Sequence, residues 1–310
     1  MSPDLLVVGG GMAGLAAAAA AAEAGASVRV LEKEPRLGGS AALSAGILWT
    51  APDLETLRSV VPGGDPLLGE ALIAGFWPAV EGIRRLGVSI SERWEGQMGF
   101  GSAVQLDVAA LIEAWRERIE ARGTVRLRAA VGRLEVDGSG HVVGARLAGG
   151  EALAAGAVLL ATGGFQGDPD LRATHLGPAA GAMLVRSNPG SVGDGLRLGL
   201  AAGAARSRHL EGFYGHLVPS PLAGWAERNF LPLTQYYSNH ALLVNRLGRR
   251  FTDESLGDEV SNQAALQQPE ARAVLICDEA VRRAYAVGAP YPHRQAVDRI
   301  AAAEAAGGRV

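Results

Sequence analysis

The chain opens with a short apolar run, Leu5-Leu6-Val7-Val8, that stops at three glycines. An unbroken aliphatic run predicts a strand buried on both faces, as in a parallel sheet. Met12 to Ala24 is rich in alanine and uncharged until Glu23, which predicts a helix closed by Gly25 at its C-cap. Ser27 to Leu31 predicts a second strand, so residues 4–32 read as one β-α-β unit. Residues 33–50 form a loop rich in Gly, Ser and Ala. Residues 53–122 read as mostly helical, with breaks at Pro62-Gly63-Gly64, at Pro78 and from Gly96 to Gly101. The clearest amphipathic helix spans 106–122, with Val108, Leu111, Ile112, Trp115 and Ile119 on one face.

Strands are predicted over 125–129, 131–136 and 141–147, the last two joined by a turn at Asp137-Gly138-Ser139-Gly140. Ala157 to Ala161 is again continuously apolar, which predicts a central buried strand ending in Thr162-Gly163-Gly164. Gly193-Asp194-Gly195 opens a small-residue helix over 196–202. Beyond residue 217 prolines and aromatics cluster, and strands are predicted at 242–244 and 274–277. The expected organisation is therefore a first domain over 1–217 and a second over 218–310.

Composition narrows the function classes. The length of 310 residues suits about two domains of roughly 150 residues. Apolar residues at 48% and charged residues at 20% exclude a disordered chain. A net charge of −3 argues against a nucleic-acid partner. The one cysteine, Cys277, cannot form an internal disulfide, and the expected compartment is cytoplasmic. Lys33 is the only lysine, and the arginine skew matches a GC-rich bacterial coding sequence. Leu5 to Ala22 is long enough to span a membrane, yet Gly9, Gly10, Gly11 and Gly14 interrupt it and Asp4 precedes it, so no membrane association is expected.

The chemistry begins at Gly9-x-Gly11-x-x-Gly14, between a predicted strand and a predicted helix. The first glycine permits the tight turn, the second lets backbone approach a pyrophosphate, and the third lets helix pack on strand. The phosphates then meet free N–H groups and the positive end of the helix dipole. Glu32 ends the second strand 18 residues after Gly14, near the offset of about 20 expected of an acid that binds a ribose. NAD and FAD share this half-site. The loop 33–50 favours FAD, because small residues let a flavin lie against backbone and Ser40 and Ser44 offer hydroxyls. Thr162-Gly163-Gly164 marks a second approach at the carboxyl end of the sheet, where ligands bind in this architecture.

These pieces give a resemblance. Asp4 to Gly14, Leu31 to Lys33 with Gly38 to Trp49, Leu159 to Phe165, Gly193 to Gly195 and Leu243 to Glu254 run in family order. The chain resembles the FAD-dependent fumarate reductase and succinate dehydrogenase flavoprotein superfamily, which includes soluble fumarate reductases, tricarballylate dehydrogenases and ketosteroid dehydrogenases. The resemblance implies an α/β fold: a Rossmann-like, glutathione-reductase-like FAD-binding domain with an α+β capping domain. It implies that Gly9, Gly11, Ala13 and Gly14 meet the FAD pyrophosphate, with Glu32 and Lys33 at the adenosine ribose. Gly39, Ser40, Ala41, Ser44, Ala45 and Gly46 would line the pyrophosphate and the flavin ring. Val131 would hold the adenine through its backbone, Thr162 and Gly163 would lie near the nucleotide, and Asp194 would approach the cofactor.

The implied activity moves a hydride between flavin and adjacent carbon atoms of a small organic or steroid-like substrate, with an electron donor or acceptor still to be identified. The alternatives are a non-catalytic or truncated FAD-binding module and an NAD(P)-linked dehydrogenase. Departures from the family pattern bear on the substrate. Where fumarate reductases carry a proton-donating arginine, this chain has Asp258. A substrate-binding Thr-Glu pair becomes Thr234-Gln235, and a His-Pro-Thr element is absent, with His216 nearby and followed by Leu217. Dicarboxylate reduction is therefore not expected. His216 and Tyr214 are the candidate substrate-side residues. Tyr236-Tyr237 suits a packed aromatic cluster, and Arg249-Arg250 with Asp253-Glu254 suits an ion-pair turn. His209 and His293 show no ligand spacing, and no metal site is expected. The family's chain returns from the cap to the first domain, and nothing here resembles that segment, so the chain is expected to be a fragment of a longer protein, the alternative being a truncated descendant, and in either case to bind FAD weakly.

Overall fold

The computed structural model describes residues 2–289 and 295–309. His293 lies outside the described residues. In chain order the main elements are β1 (Leu5–Val8), α1 (Met12–Glu23), β2 (Val28–Leu31), β3 (Ile47–Thr50), α2 (Leu54–Val60), α3 (Pro66–Arg85), β4 (Trp94–Gln97), β5 (Gly101–Gln105) and α4 (Val108–Glu120). There follow β6 (Gly123–Arg126), β7 (Val131–Val136), β8 (Val142–Leu147), β9 (Ala152–Ala154), β10 (Ala157–Leu160), α5 (Pro169–Leu176), α6 (Asp194–Ala201), β11 (Leu242–Asn245), α7 (Asp258–Leu266) and β12 (Ala273–Ile276). Two compact units result. The first comprises residues 1–168 and 187–208, the second residues 169–186 and 209–310.

The first unit is built on a four-stranded parallel sheet of order β10-β1-β2-β6. Alternation along the central strands sorts their side chains onto two faces. Val7, Val28 and Val30 pack with Leu15, Ala18, Ala19 and Ala22 of α1 and with Leu111, Trp115 and Ile119 of α4. Leu6 and Leu31 point the other way, onto Ala145 and Leu147 of β8 and Leu153 of β9. Helices thus cover one face and the antiparallel sheet β7-β8-β9 the other. A sheet covered on both sides explains why β1, between two partners, reads as a continuous apolar run. β10, expected as a central buried strand, is instead an edge strand with no fully buried residue, because among the described residues only β1 pairs with it.

Several elements differ from the sequence-based expectation. Residues 53–122 are mostly helical, as expected, through α2, α3 and α4, but β4 and β5 also lie within them, and β3 lies in the expected loop, forming the antiparallel sheet β3-β5-β4. These strands lack polar alternation and gain their stability from pairing and from Phe76, Val80 and Val104. No break occurs at Pro78, which sits inside α3. That helix starts strongly, with Asp65 accepting from the amides of Leu67 and Leu68 and Pro66 in the first turn. Its buried stripe of Gly69, Phe76, Val80 and Ile83 holds it together across the proline.

In the second unit, β11 and β12 pair antiparallel, and a small core joins Leu176, Ala180 and Leu266. Glu254 is buried at this ladder, where it accepts from the amide of Leu243 at 2.7 Å and from Arg250 at 2.6 Å. The expected ion-pair turn is present, with its carboxylate turned inward.

Candidate functional site

The glycine turn of the first unit is shaped by close backbone approach. Gly9 has φ +111°, and a Cβ built on it would lie 2.3 Å from the carbonyl oxygen of Ala161. A Cβ on Gly14 would lie 2.0 Å from the carbonyl oxygen of Gly9, so helix α1 can meet the turn only without a side chain there. Gly11 differs: nothing lies within 4 Å of its Cβ position, and it caps α1 with no side-chain hydrogen bond. The space beside Gly11 is therefore open, and the first amides of α1, including that of Ala13, bring to it the partial positive charge of a helix N-terminus.

Glu32 is 8% exposed and braces this turn. One carboxylate oxygen accepts from the amide of Gly10 at 2.7 Å and the other from the amide of Glu34 at 2.8 Å. The carboxylate is thus fixed between the glycine turn and the end of β2, where a ribose adjoining the pyrophosphate would reach it.

The remaining expected cofactor residues gather in the same unit. Gly39, Ser40 and Ala41 lie in a 3-10 turn over Gly39–Leu43. Ser40 Oγ is 2.8 Å from Ser187 Oγ. Ser44 Oγ donates to the Ala41 carbonyl at 2.7 Å and accepts from the Gly46 amide at 3.1 Å, so its hydroxyl closes the loop itself. The Ala45 carbonyl accepts from Gln105 at 2.8 Å. Thr162 Oγ1 accepts from the Gly195 amide at 2.8 Å, which ties the Thr162-Gly163 turn to α6. Asp194 opens α6 and pairs with Lys33 at 2.6 Å, a partnership across the chain that sequence reading did not foresee. Val131 begins β7, paired with Leu147. These residues fit FAD: bare main chain at Gly11, a helix start without a side-chain cap and a fixed acid beside them suit a pyrophosphate and its ribose.

The second unit contains a polar cluster. His216 Nδ1 lies 2.7 Å from Asp258 Oδ2 and 3.8 Å from Glu259 Oε1. The three side chains are 4%, 7% and 16% exposed. Asp258 and Glu259 occupy the first turn of α7, where the helix dipole favours negative charge. Tyr214 is 69% exposed, yet its hydroxyl donates to Glu259 at 3.2 Å. Rings of Tyr214 and Tyr236 stand edge-on to His216, with centroids 5.2 and 5.4 Å away. Burial and the adjacent Asp258 carboxylate push the Glu259 carboxyl upward. Sequence spacing gave no sign of this gathering, because 42 residues separate His216 from Asp258. Asp258 was visible only as the replacement of an arginine. Tyr237 is buried, and Tyr236 accepts a hydrogen bond from Arg186 at 2.8 Å.

Among the described residues no helix is long and apolar enough to cross a membrane. The chain is 30% identical to a fumarate reductase (cytochrome) of Shewanella frigidimarina, over 90% of this chain and 52% of that protein. It is 28% identical to a 4-oxocyclohexanecarboxylate 2-dehydrogenase of Sinomonas cyclohexanicum, over 81% of this chain and 59% of that one. The chain thus spans about half the length of the curated relatives it matches. Its fold is similar to that of a 3-ketosteroid-delta4-(5alpha)-dehydrogenase of Rhodococcus jostii RHA1, with TM-score 0.71, 21% identity and coverage of 91% of this chain and 67% of that one. The family model for an FAD binding domain matches residues 4–62 and 83–291, and with the cradle at Gly11 and the acid at Glu32 this places the chain in that family of FAD-binding flavoproteins.

Proposed function

We propose that the chain is the FAD-binding part of an oxidoreductase acting at adjacent carbon atoms of a small organic or steroid-like substrate, with an unidentified electron partner. The observation that carries this is the open cradle at Gly11 beside the fixed carboxylate of Glu32. Gly9, Gly11, Ala13 and Gly14 would hold the pyrophosphate, Glu32 the ribose, and the loop from Gly39 to Gly46 the extended cofactor beyond. Lys33 and Asp194 would steady that loop against α6. Bound FAD supplies the hydride acceptor or donor.

His216 is the residue we assign to the proton. Its Nδ1 is held by Asp258, while its Nε2 has no hydrogen-bond partner among the described residues and is the atom left to exchange a proton with substrate. Asp258 orients the ring and stabilises its protonated form, as a carboxylate behind an imidazole does. A dicarboxylate approaching His216 would meet two acidic side chains with no arginine or lysine paired to either among the described residues. The cluster therefore favours a substrate with a neutral hydrogen-bond acceptor, such as an enone carbonyl. This agrees with the ketone chemistry in the names of two of the relatives.

The test uses the FAD-loaded chain, reduced anaerobically and mixed with cyclic enones or with fumarate. Flavin re-oxidation by an enone and not by fumarate is expected. His216→Asn should slow it by about 100-fold or more at unchanged flavin occupancy. Re-oxidation by fumarate alone, or an unaffected His216→Asn, would overturn the assignment.

A further inference from the structure

The hydride chemistry assigned above uses one carboxyl behind His216, yet the structure places two there. Asp258 and Glu259 are adjacent, largely buried and within 2.7 and 3.8 Å of the same imidazole nitrogen. Two ionised carboxylates at this spacing in a poorly solvated site repel strongly, and one of them keeps a proton instead. Among the described residues no arginine or lysine forms an ion pair with either.

The surroundings decide which carboxyl that is. Asp258 has the short contact with His216 Nδ1 and is the natural anion. Glu259 faces Tyr214, and a ligand atom from each of His216, Asp258 and Glu259 lies within 4.8 Å of the others. From the neighbouring segments, Tyr236 flanks His216, with the Arg299 guanidinium 5.3 Å over its ring and Arg186 on its hydroxyl. Glu254, in the turn before α7, is already neutralised by Arg250. None of these supplies a cation to Glu259.

We propose that Glu259 is a positioning residue for His216. As a neutral acid it donates its O–H to Asp258, Asp258 accepts the Nδ1–H of His216, and the Tyr214 hydroxyl pins the other end of the chain on Glu259 Oε1. The proposal rests on His216 being the proton-handling group. In each turnover only the Nε2–H bond breaks or forms. The proton it loses makes a C–H bond on the substrate carbon next to the one that takes the hydride, while the Nδ1–H and the Glu259 O–H stay in place. Glu259 thereby leaves a single negative charge behind the imidazole, so the ring can both take and release a proton. Tyr214, singled out from sequence as a substrate-side residue, acts here from the solvent side as the anchor of Glu259.

The test is proton magnetic resonance of the FAD-loaded full chain carrying isotope-labelled histidine, which needs no substrate. The wild type should show a downfield, slowly exchanging Nδ1–H of His216. Glu259→Gln can still donate to Asp258 and should keep that signal. Glu259→Ala should speed its exchange by about tenfold or more, the scale of one hydrogen bond to a charged group. Tyr214→Phe should speed it by a smaller factor. Flavin absorbance checks that each variant is folded.

An unchanged signal in Glu259→Ala would overturn the proposal, as would loss of the signal in Glu259→Gln. Stoichiometric zinc(II) that abolishes the wild-type signal and is not bound by Glu259→Gln would also overturn it, making the three groups cation ligands. A His216→Asn variant with unaffected flavin re-oxidation would sink the catalytic assignment alone, because the hydrogen-bond chain is read without turnover.

Discussion

Gly11 and Gly14 belong to one motif but do different work, and two alanine variants separate them. In Gly14→Ala the new methyl would sit 2.0 Å from the Gly9 carbonyl oxygen and 3.2 Å from Ala161 Cβ. The first of these neighbours is backbone, held by the bond from Gly9 N to Leu31 O at 2.8 Å, so it cannot swing aside. Overpacking of this kind costs about 3 kcal/mol or more. At ~2–4 °C per kcal/mol for a unit of this size, the apoprotein should melt about 6–12 °C lower. In Gly11→Ala the methyl meets nothing within 4 Å, and the backbone, at φ −82°, already suits alanine. Only the N-cap preference is lost, about 1 kcal/mol at most, so the apoprotein should melt within about 4 °C of wild type. The methyl would stand where a pyrophosphate must touch main chain, and FAD affinity should fall about tenfold or more, or ~1.4 kcal/mol. The assay pairs thermal unfolding of flavin-free protein with the ratio of flavin to protein absorbance after reconstitution. A Gly11→Ala protein that loads FAD like wild type, or a Gly14→Ala protein that melts like wild type, would refute the division of roles.

The hydrogen bond from Arg250, helped by the Leu243 amide, holds the Glu254 carboxyl down at about 2 from its ordinary 4.5, against burial, which pulls it up. A depressed carboxyl stabilises the fold above its unfolded value and loses that contribution as pH falls through the folded one. Glu254→Gln should therefore flatten the loss of stability between pH 4.5 and about 2 seen in acid melts. Burial pushes the Tyr237 phenol up to about 12 from 10.0, so its contribution is complete below pH 10.0 and fades as pH rises towards 12. Tyr237→Phe should reduce alkaline destabilisation, followed by ultraviolet tyrosinate absorbance. Pro78 interrupts the hydrogen-bond ladder of α3 at an exposed position, and Pro78→Ala should stabilise the protein by about 2 kcal/mol, read in denaturant melts. Lys33→Ala breaks the 2.6 Å pair with Asp194, whose partners are about one-third exposed, and should cost about 1 kcal/mol or less while loosening FAD binding.

The sequence by itself determined the β-α-β unit, the glycine turn and the acid at its end. These depend on contacts within some thirty residues, and the reasons for each residue type are local: a turn without side chains, a helix start, a strand buried on both sides. It also showed the carboxyl-end turn at Thr162-Gly163. The tertiary structure alone decided what those turns meet. Thr162 holds the start of α6, and Lys33 finds Asp194 from 161 positions away. The strands β3, β4 and β5 escaped pattern reading because short segments such as Trp94-Glu95-Gly96-Gln97 carry no two-residue alternation and are strands only by virtue of their partners. Pro78 misled for the complementary reason: a proline argues for a break from backbone chemistry alone, while the apolar stripe of α3 outweighs it through packing. The gathering of His216, Asp258 and Glu259 lay beyond any spacing rule, since a loop and a distant helix N-terminus contribute its members. Local steric and hydrogen-bond demands can be read along a chain, whereas the charge balance of a buried cluster depends on which remote side chains the fold brings into one low-dielectric place.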